Sequence, residues 1–396
     1  MQRRRRFLRN ASLVALAPLV PTFLEKLALA AGPQADARIL VVIQLDGGND
    51  GLNTVIPYAD PDYAKNRPTL RIPPKDVLKI NDQIGLHPAM RGMADLLHDG
   101  RLAIVQGVGY PNPNRSHFQS MRIWQTARPD AADAQTGWIG AAFDNVRERK
   151  SAGPDAIYVG ESDLPLALVG RRADAAAITG LEDLALHVAT PDISPPAKDE
   201  GNVKAFVRRT MLSAYGTAHE LARGSQSAAR TPSSYPDTKL GGQLAAVSQL
   251  IKLGGGTRIF YASQGGYDTH AAQLPQHESV LRELSGAVKA FMNDLKAAGL
   301  SDRVLLMAFS EFGRRVAENG SLGTDHGAAA PVLLAGGTLK PGLFGDPPGF
   351  SQLPHGDLPM SIDFRQIYAT LLEDWLNIPS AQVLVGNWAK LPLLTT

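Results

Sequence analysis

The sequence predicts an α/β fold, a three-layer α/β/α sandwich with a mostly parallel central sheet and a helical cap insertion. Three observations carry this expectation. Near-continuous apolar runs, RILVVIQL at 38–45, LAIVQGV at 102–108 and VLLMAF at 304–309, are too uniformly apolar for strands with one wet face and mark strands buried on both faces. Strand-like and helical patterns alternate along the chain, as parallel crossovers require. With 396 residues, 44% hydrophobic and 20% charged, the chain can bury a large core.

Composition removes several classes of function. There is no cysteine, so disulfides, thiolate metal sites and a cysteine nucleophile are excluded. The net charge of +2 turns slightly acidic, to −3, once Arg3, Arg4, Arg5, Arg6 and Arg9 are set aside, so nothing points to nucleic acid. Residues 1–30 read as an export signal: a basic head, an apolar stretch, and Ala28 and Ala30 at the spacing of an A-x-A cleavage site. Pro18, Pro21, Glu25 and Lys26 interrupt the apolar part, so no permanent membrane span, which needs about 20 apolar residues, is expected. Within the head, RRRFLR at 4–9 resembles the twin-arginine pattern, which implies the Tat export machinery and a periplasmic or secreted destination.

The first strand, 38–45, ends in Asp46-Gly47-Gly48-Asn49-Asp50-Gly51-Leu52-Asn53. Glycines there let a ligand approach the backbone, and either Asp46 or Asp50 can ligate a metal from the strand's carboxyl end; the plain alternative is a turn with an Asp cap. Residues 58–79, rich in proline and charge, read as a surface excursion before a helix over 88–98. After the strand at 102–108, residues 109–114 hold two prolines, which lack the ladder donor, so the run is irregular. Arg115-Ser116-His117-Phe118 then opens a helix that continues through Trp124, with Ser116 at its start. A serine there is ordinarily an N-cap, yet a helix amino terminus also stabilises an oxyanion, and Arg115 beside it could clamp a phosphate or sulfate.

AIYVG and PLALVG between 156 and 170 suggest two short strands. The Ala-rich, polar span 173–255 reads as the cap insertion, with helices over about 203–223 and 239–252; His187 and His219 lie inside it without neighbouring ligands. RIFYA at 258–262 is the next strand, followed by Tyr267-Asp268-Thr269-His270, where Asp268 and His270, two apart in an extended loop, point the same way. A helix over 278–298 shows an apolar stripe of Val280, Leu284, Val288, Phe291, Met292 and Leu295. Directly off the strand at 304–309 comes Ser310-Glu311, a carboxylate costly to bury unless it meets Arg314, Arg315 or a cation. Thr324-Asp325-His326-Gly327 leads into the strand PVLLA at 331–335; Asp325 either ligates or orients the imidazole. A helix over 364–376 closes the chain, with Trp375 and Trp388 as core aromatics, while His355 sits in a loop.

Ligands in open α/β sheets bind off the carboxyl ends of strands, so these scattered acids and imidazoles are expected to meet at one mouth. Asp, Glu and His without Cys suit zinc, manganese, magnesium or calcium, and the imidazoles favour zinc or another transition ion. One or two divalent ions are expected, two of them about 4 Å apart being able to stabilise attacking and leaving oxygens together. No G-x-S-x-G elbow, no G-x-x-x-x-G-K-[ST] loop and no H-E-x-x-H occur. Neither a cysteine nor a serine in the S-x-P-x-R context is present for conversion to formylglycine, which counts against an ordinary sulfatase.

The motifs LDGGNDGLNTVIPY, NRSHFQSMRIW, GYDTH, SEFGR and TDHGAAAPVLLAGG resemble the domain-of-unknown-function 1501 family, exported bacterial proteins akin to the alkaline phosphatase and sulfatase superfamily. The resemblance runs from Arg38 to the carboxyl end. It implies a metal-bound Asp after the first strand, a Ser or Thr nucleophile at a helix start, an Asp-and-His pair, an acidic site usually Asp-His, and a last His before a strand. These roles fall on Asp46, Ser116, Asp268 with His270, Glu311 and His326. Two departures stand out: Glu311-Phe312 occupies the usual Asp-His position, removing one imidazole, and Asp50 competes with Asp46. The expected function is an exported metal-dependent hydrolase of small-molecule or glycan phosphate or sulfate esters, with Ser116 as nucleophile and Arg115 positioning the anion. The alternative from another class is a non-catalytic periplasmic or cell-surface binding protein that keeps the fold.

Overall fold

A computed structural model describes residues 38–130, 133–146, 154–180 and 235–395. The export signal and most of the expected cap, including the helix over 203–223, His187 and His219, lie outside the described residues. In chain order the strands are β1 (Ile39–Leu45), β2 (Val55–Ile56), β3 (Leu78–Lys79), β4 (Gly85–Leu86), β5 (Leu102–Gly109), β6 (Ala156–Val159), β7 (Ala175–Ile178), β8 (Ile259–Gln264), β9 (Val304–Ser310), β10 (Ala330–Gly336), β11 (Gly342–Phe344) and β12 (Ile362–Asp363). The helices are α1 (Gly51–Thr54), α2 (Pro61–Asn66), α3 (Arg91–His98), α4 (His117–Thr126), α5 (Trp138–Asp144), α6 (Lys239–Leu253), α7 (Gln273–Ala297) and α8 (Phe364–Thr370).

A nine-stranded sheet runs β11-β5-β10-β9-β1-β8-β6-β7, with β12 also beside β5, and a small sheet runs β2-β4-β3. In the large sheet β10 is antiparallel to both its neighbours, β5 and β9. The other pairings there are parallel. The strand period of two explains the two cores. Ile39, Val41, Ile43 and Leu45 of β1 join one apolar layer with α3, α6 and α7, and Leu40 and Val42 join the other with α4, α5 and α8. Every residue of β1 is buried, as the uniform apolar run requires. The architecture is therefore the three-layer, mostly parallel sandwich expected from the sequence.

Several local expectations are corrected. Leu166–Leu168 is a 3-10 turn rather than a strand, whereas the alanine-rich β7 pairs in parallel with β6 and extends the sheet. Alanine has little strand preference, so β7 owes its state to its neighbour rather than to propensity. The described ends of the span 173–255 thus belong to the sandwich: β7 to its sheet, and α6, through Leu240, Leu244, Val247 and Leu250, to its core. The last helix turns from α to π geometry over Leu371–Trp375. Trp375 is buried, but Trp388 is half-buried and lies under the Arg365 guanidinium, 3.8 Å from the ring centroid. Among the described residues no helix is long and apolar enough to cross a membrane.

The topology levels the strand ends that matter. Leu45 of β1 is in register with Gln264 of β8 and with Ser310 of β9. Because β10 runs backwards beside β9, its first residue lies at the same edge, and so does the carboxyl end of β5 on its other side.

Asp50, one of the two candidate ligands of the first loop, lies away from this edge chemistry. It is fully buried and paired with Arg67, whose Nη1 donates to Oδ2 at 2.6 Å and Nη2 to Oδ1 at 3.1 Å. Gln273 donates to the same carboxylate. Arg67 also donates to the Val316 and Arg315 carbonyls, so the pair ties the first loop to the segment after β9. Burial alone would raise the Asp50 pKa, but the Arg67 charge and its hydrogen bonds outweigh it and hold the carboxyl at about 2. The expectation that Asp50 ligates a metal is corrected: its oxygens are committed to Arg67 and Gln273. Behind it, His87 and His277 are buried edge to face, ring centroids 6.0 Å apart, and burial pulls each down to about 4.

Removing one partner of a buried ion pair strands the other charge, so Asp50→Ala is expected to lower the unfolding free energy by about 3–5 kcal/mol in urea titrations, and Asp50→Ala with Arg67→Met to recover part of that loss. The buried histidines set a pH signature. Unfolded imidazoles bind protons near 6.5 while the folded ones wait until about 4, so stability falls as pH drops across that window. Urea midpoints measured from pH 7 to 4 should decline, and His277→Gln should flatten the decline; equal slopes in both proteins would contradict it.

Candidate metal centre

Four loops bring their side chains to the shared sheet edge. Asp268 and His270 follow β8, Glu311 follows β9, His326 precedes β10, and His117 opens α4 after β5. One ligand atom each from His117, Asp268 and His326 lies within 4.8 Å of the others. His270 Nε2 reaches two of them, 2.8 Å from His326 Nε2 and 3.1 Å from Asp268 Oδ1. His117 Nε2 is 3.5 Å from Asp268 Oδ2, and His326 Nε2 is 3.3 Å from Asp268 Oδ1.

The opposite nitrogen of each ring is held by an acceptor. His117 Nδ1 lies 2.7 Å from Glu311 Oε1, His270 Nδ1 3.3 Å from Asp325 Oδ1, and His326 Nδ1 2.7 Å from the Arg115 carbonyl. Carbonyls and ionised carboxylates only accept, so each Nδ1 carries a proton, and each Nε2 is turned toward Asp268. Nε2 of His270 and Nε2 of His326 lie 2.8 Å apart beside a carboxylate oxygen. Supporting oxygens behind the rings are the usual device for orienting imidazole ligands. His117 Nε2 is buried without a hydrogen-bond partner. A buried polar atom without a partner costs stability unless something binds it. The residues present therefore fit a divalent ion.

The support is itself buried. Glu311 is 1% exposed; its Oε1 also accepts from the Gly47 amide at 3.0 Å, and the Ser310 hydroxyl lies 2.8 Å from Oε2. Glu311 thus holds His117 from behind instead of joining the ring of Nε2 atoms, a correction to its expected place as a ligand. Asp325 likewise supports His270, and Asn319 donates to it at 3.2 Å. The hydrogen bond His117 donates to Glu311 is the largest influence on its pKa and raises it, whereas burial lowers that of His326.

Arg314 fixes the loops. Its side chain is buried and donates from Nε to the Gly48 carbonyl at 2.8 Å, from Nη1 to Thr324 O at 2.8 Å, and from Nη2 to Gly47 O, to Tyr267 O at 3.0 Å and to Asp268 Oδ1 at 2.7 Å. Burial would raise the Asp268 carboxyl, but the bonds from Arg314 and His326 hold it at about 2. The loops approach so closely that a Cβ on Gly47, at φ +119, would sit 2.4 Å from the Asp268 amide nitrogen. Phe312 packs beside His117 and His326, its ring centroid 5.0 and 4.8 Å from theirs.

Asp46 lines a cavity of about 660 Å³ together with His117, Asp268 and Glu311, walled by Phe118, Met121, Arg122 and Gln125 of α4. Burial pushes its carboxyl up to about 6, and Gln44 donates to Oδ1 at 2.6 Å. Ser116 is the N-cap residue of α4 but makes no side-chain cap bond; it is exposed and is not among the residues lining this cavity. Arg115 is not free to clamp an anion as expected: its guanidinium pairs with Asp357, and its carbonyl holds His326. His117 is the residue that sequence reasoning missed. Its signal was its place at a helix start beyond a strand, the same position relative to the sheet as the other ligands.

A mostly parallel α/β sandwich with imidazoles and a carboxylate gathered at the carboxyl edge of its sheet is the class that fold and site define. The chain belongs to the family described as protein of unknown function (DUF1501), which matches residues 37–381. Comparison with curated proteins found no match. Among solved structures, the chain is similar to the C-terminal periplasmic domain of EcEptC from Escherichia coli in complex with Zn, at 10% identity over 76% of this chain and 74% of that one, TM-score 0.39. It is also similar to the PsFucS1 sulfatase from Pseudoalteromonas sp. (11% identity, 93% and 74% covered, TM-score 0.39) and to murine ectonucleotide pyrophosphatase/phosphodiesterase 5 (9%, 87% and 96%, TM-score 0.40).

Arg314→Lys keeps the charge but cannot serve five acceptors in three loops. Each buried carbonyl left unpaired costs about 1–3 kcal/mol, so the substitution is expected to lower the unfolding free energy by at least about 3 kcal/mol; a urea midpoint within error of the parent would contradict this account.

Proposed function

We propose that this protein is an exported metal-dependent hydrolase of phosphate or sulfate esters. The single observation behind the reading is the cluster of His117, Asp268 and His326, with His270 Nε2 beside two of them and each imidazole held from behind by an acceptor. His117, Asp268 and His326 would hold one ion, with His270 within reach of two of them, and the imidazoles favour zinc or another transition ion over magnesium or calcium. When bound, such an ion neutralises the anionic oxygens of an ester and stabilises charge that builds during displacement. The chain supplies the rest. Ser116, the N-cap residue of α4 next to His117, is the proposed nucleophile; its hydroxyl is uncommitted to capping and lies outside the cavity lining, so its proton passes to solvent. Asp46, expected as a ligand, instead lines the cavity and supplies a proton to the leaving oxygen. Arg122 offers a cation in the same cavity, and the exposed Phe118 a platform at its wall for the organic part of the ester. Export through the Tat route follows from the arginine-rich head of residues 1–30.

One observation favours the second reading, a non-catalytic binding protein that keeps the ion: Arg115 is spent on Asp357. Elemental analysis of protein purified without chelator, paired with aryl phosphate and aryl sulfate turnover, separates the two. About one ion per chain is expected, with His117→Ala and His326→Ala each losing it and Ser116→Ala retaining it. Turnover should fall on the order of 10³-fold or more in Ser116→Ala. Metal without turnover would leave the binding reading, and a metal-free, inactive protein would remove both.

A further inference from the structure

Beyond β1 along the same sheet edge, a second cavity of about 310 Å³ lies where β6 and β8 end, under the start of α6. Asp46 and Gly265 line both this cavity and the one at the candidate metal centre, so the two meet at Asp46. Small-molecule sites run from about 300 to 1,000 Å³, which puts this one at the size of a single small ring.

Its walls carry hydrogen-bonding groups with capacity to spare. Tyr158 Oη lies 2.5 Å from Ser162 Oγ and 3.2 Å from Ser263 Oγ. Three hydroxyls hold three protons, and two contacts among them use only two, so one O–H is left to donate elsewhere. Lys239, the first residue of α6, gives one N–H to Glu161 Oε2 at 2.9 Å, and an ammonium has three. Glu283 of α7 spends one oxygen on the Leu240 amide at 2.9 Å and keeps the other. Lys239, Glu161 and Ser162 are exposed, and Ser263 and Glu283 half-buried, so these groups are open to a ligand rather than sealed in the core.

The mixture selects what binds. Phosphate and sulfate oxygens only accept and an ammonium only donates, whereas a hydroxyl does both and matches donors and acceptors set side by side. Charge narrows the choice. Two glutamates against one lysine leave the cavity net negative even before Asp46 is counted, so an anionic group is repelled from it. Tyr158 is 1% exposed, so its ring presents no face for an aromatic ligand to stack on.

We propose that this cavity is the subsite for a neutral polyhydroxylated ring, a sugar or cyclic polyol, that forms the alcohol part of the ester. The proposal names the substrate class of the hydrolase and rests on that reading for the ester, but binding of the free ring needs no turnover. Asp46 then stands between the ring and the metal side. Methyl glucoside, methyl galactoside, methyl mannoside and myo-inositol are the probes, titrated onto the full chain by ligand-observed NMR, with cyclohexanol and the carboxylate-bearing methyl glucuronide as counter-probes. At least one neutral polyhydroxylated ring should bind, cyclohexanol should not, and the glucuronide should bind at least about tenfold more weakly than the best neutral ring. Lys239→Met and Ser263→Ala should each weaken that ring about five- to tenfold, the loss of one hydrogen bond, at unchanged melting temperature. The subsite is overturned if none of the neutral rings binds, if the glucuronide or cyclohexanol binds as tightly as the best of them, or if both variants bind as the parent does. Aryl ester turnover without ring binding sinks the subsite and spares the hydrolase; ring binding without turnover of any ester supports the subsite and sinks the hydrolase.

Discussion

The guanidinium of Arg314 gathers the backbone of three loops that the chain places far apart: Gly47 and Gly48 after β1, Tyr267 and Asp268 after β8, and Thr324 ahead of β10. Loops at the end of a sheet have carbonyls that the ladder no longer satisfies, and burying them unpaired is costly. A planar cation with five donors answers several such carbonyls at once, and its charge is returned by the Asp268 carboxylate. The position of Asp268 is therefore set by the same hydrogen bonds that close the loops. Arg67 repeats the device a short way along the chain's path, tying the first loop to the segment after β9 through Asp50.

On that frame the imidazoles are arranged before any ion arrives. Their Nδ1 atoms are committed to Glu311, Asp325 and the Arg115 carbonyl, which removes ring rotation and selects one tautomer for each. A site ordered in this way spends little of an ion's binding energy on organising its ligands. Phe312 packs beside two of the three imidazoles. Replacing an expected imidazole by Phe312 thus changes the architecture without emptying it, because α4 contributes His117 from another strand connection.

Much of the fold was legible because burial on both faces leaves a one-dimensional trace. The runs at 38–45, 102–108 and 304–309 could only be strands of a sheet covered on both sides, and β1, β5 and β9 occupy those positions. Asp46, Asp268, His270 and His326 were recognisable since each adjoins a strand end. Local patterns failed where a neighbour decides the outcome: β7 is a strand because β6 offers it a ladder, and Leu166–Leu168 coils into a turn despite an apolar composition.

The sequence by itself determined which residues are apolar enough to be buried, where the strands end and which side chains able to bind a cation stand at those ends. Only the tertiary structure decided how those candidates divide. Asp50 and Asp46 are four residues apart and chemically alike, yet one is neutralised by Arg67 in the core and the other faces a cavity. Glu311 and Asp325 became supports and His117 joined the centre because hydrogen-bond partners come from other loops. The physical reason is that a carboxylate's role is set by which donors reach it in space, and donors 17 or 194 residues away leave no mark on the local pattern.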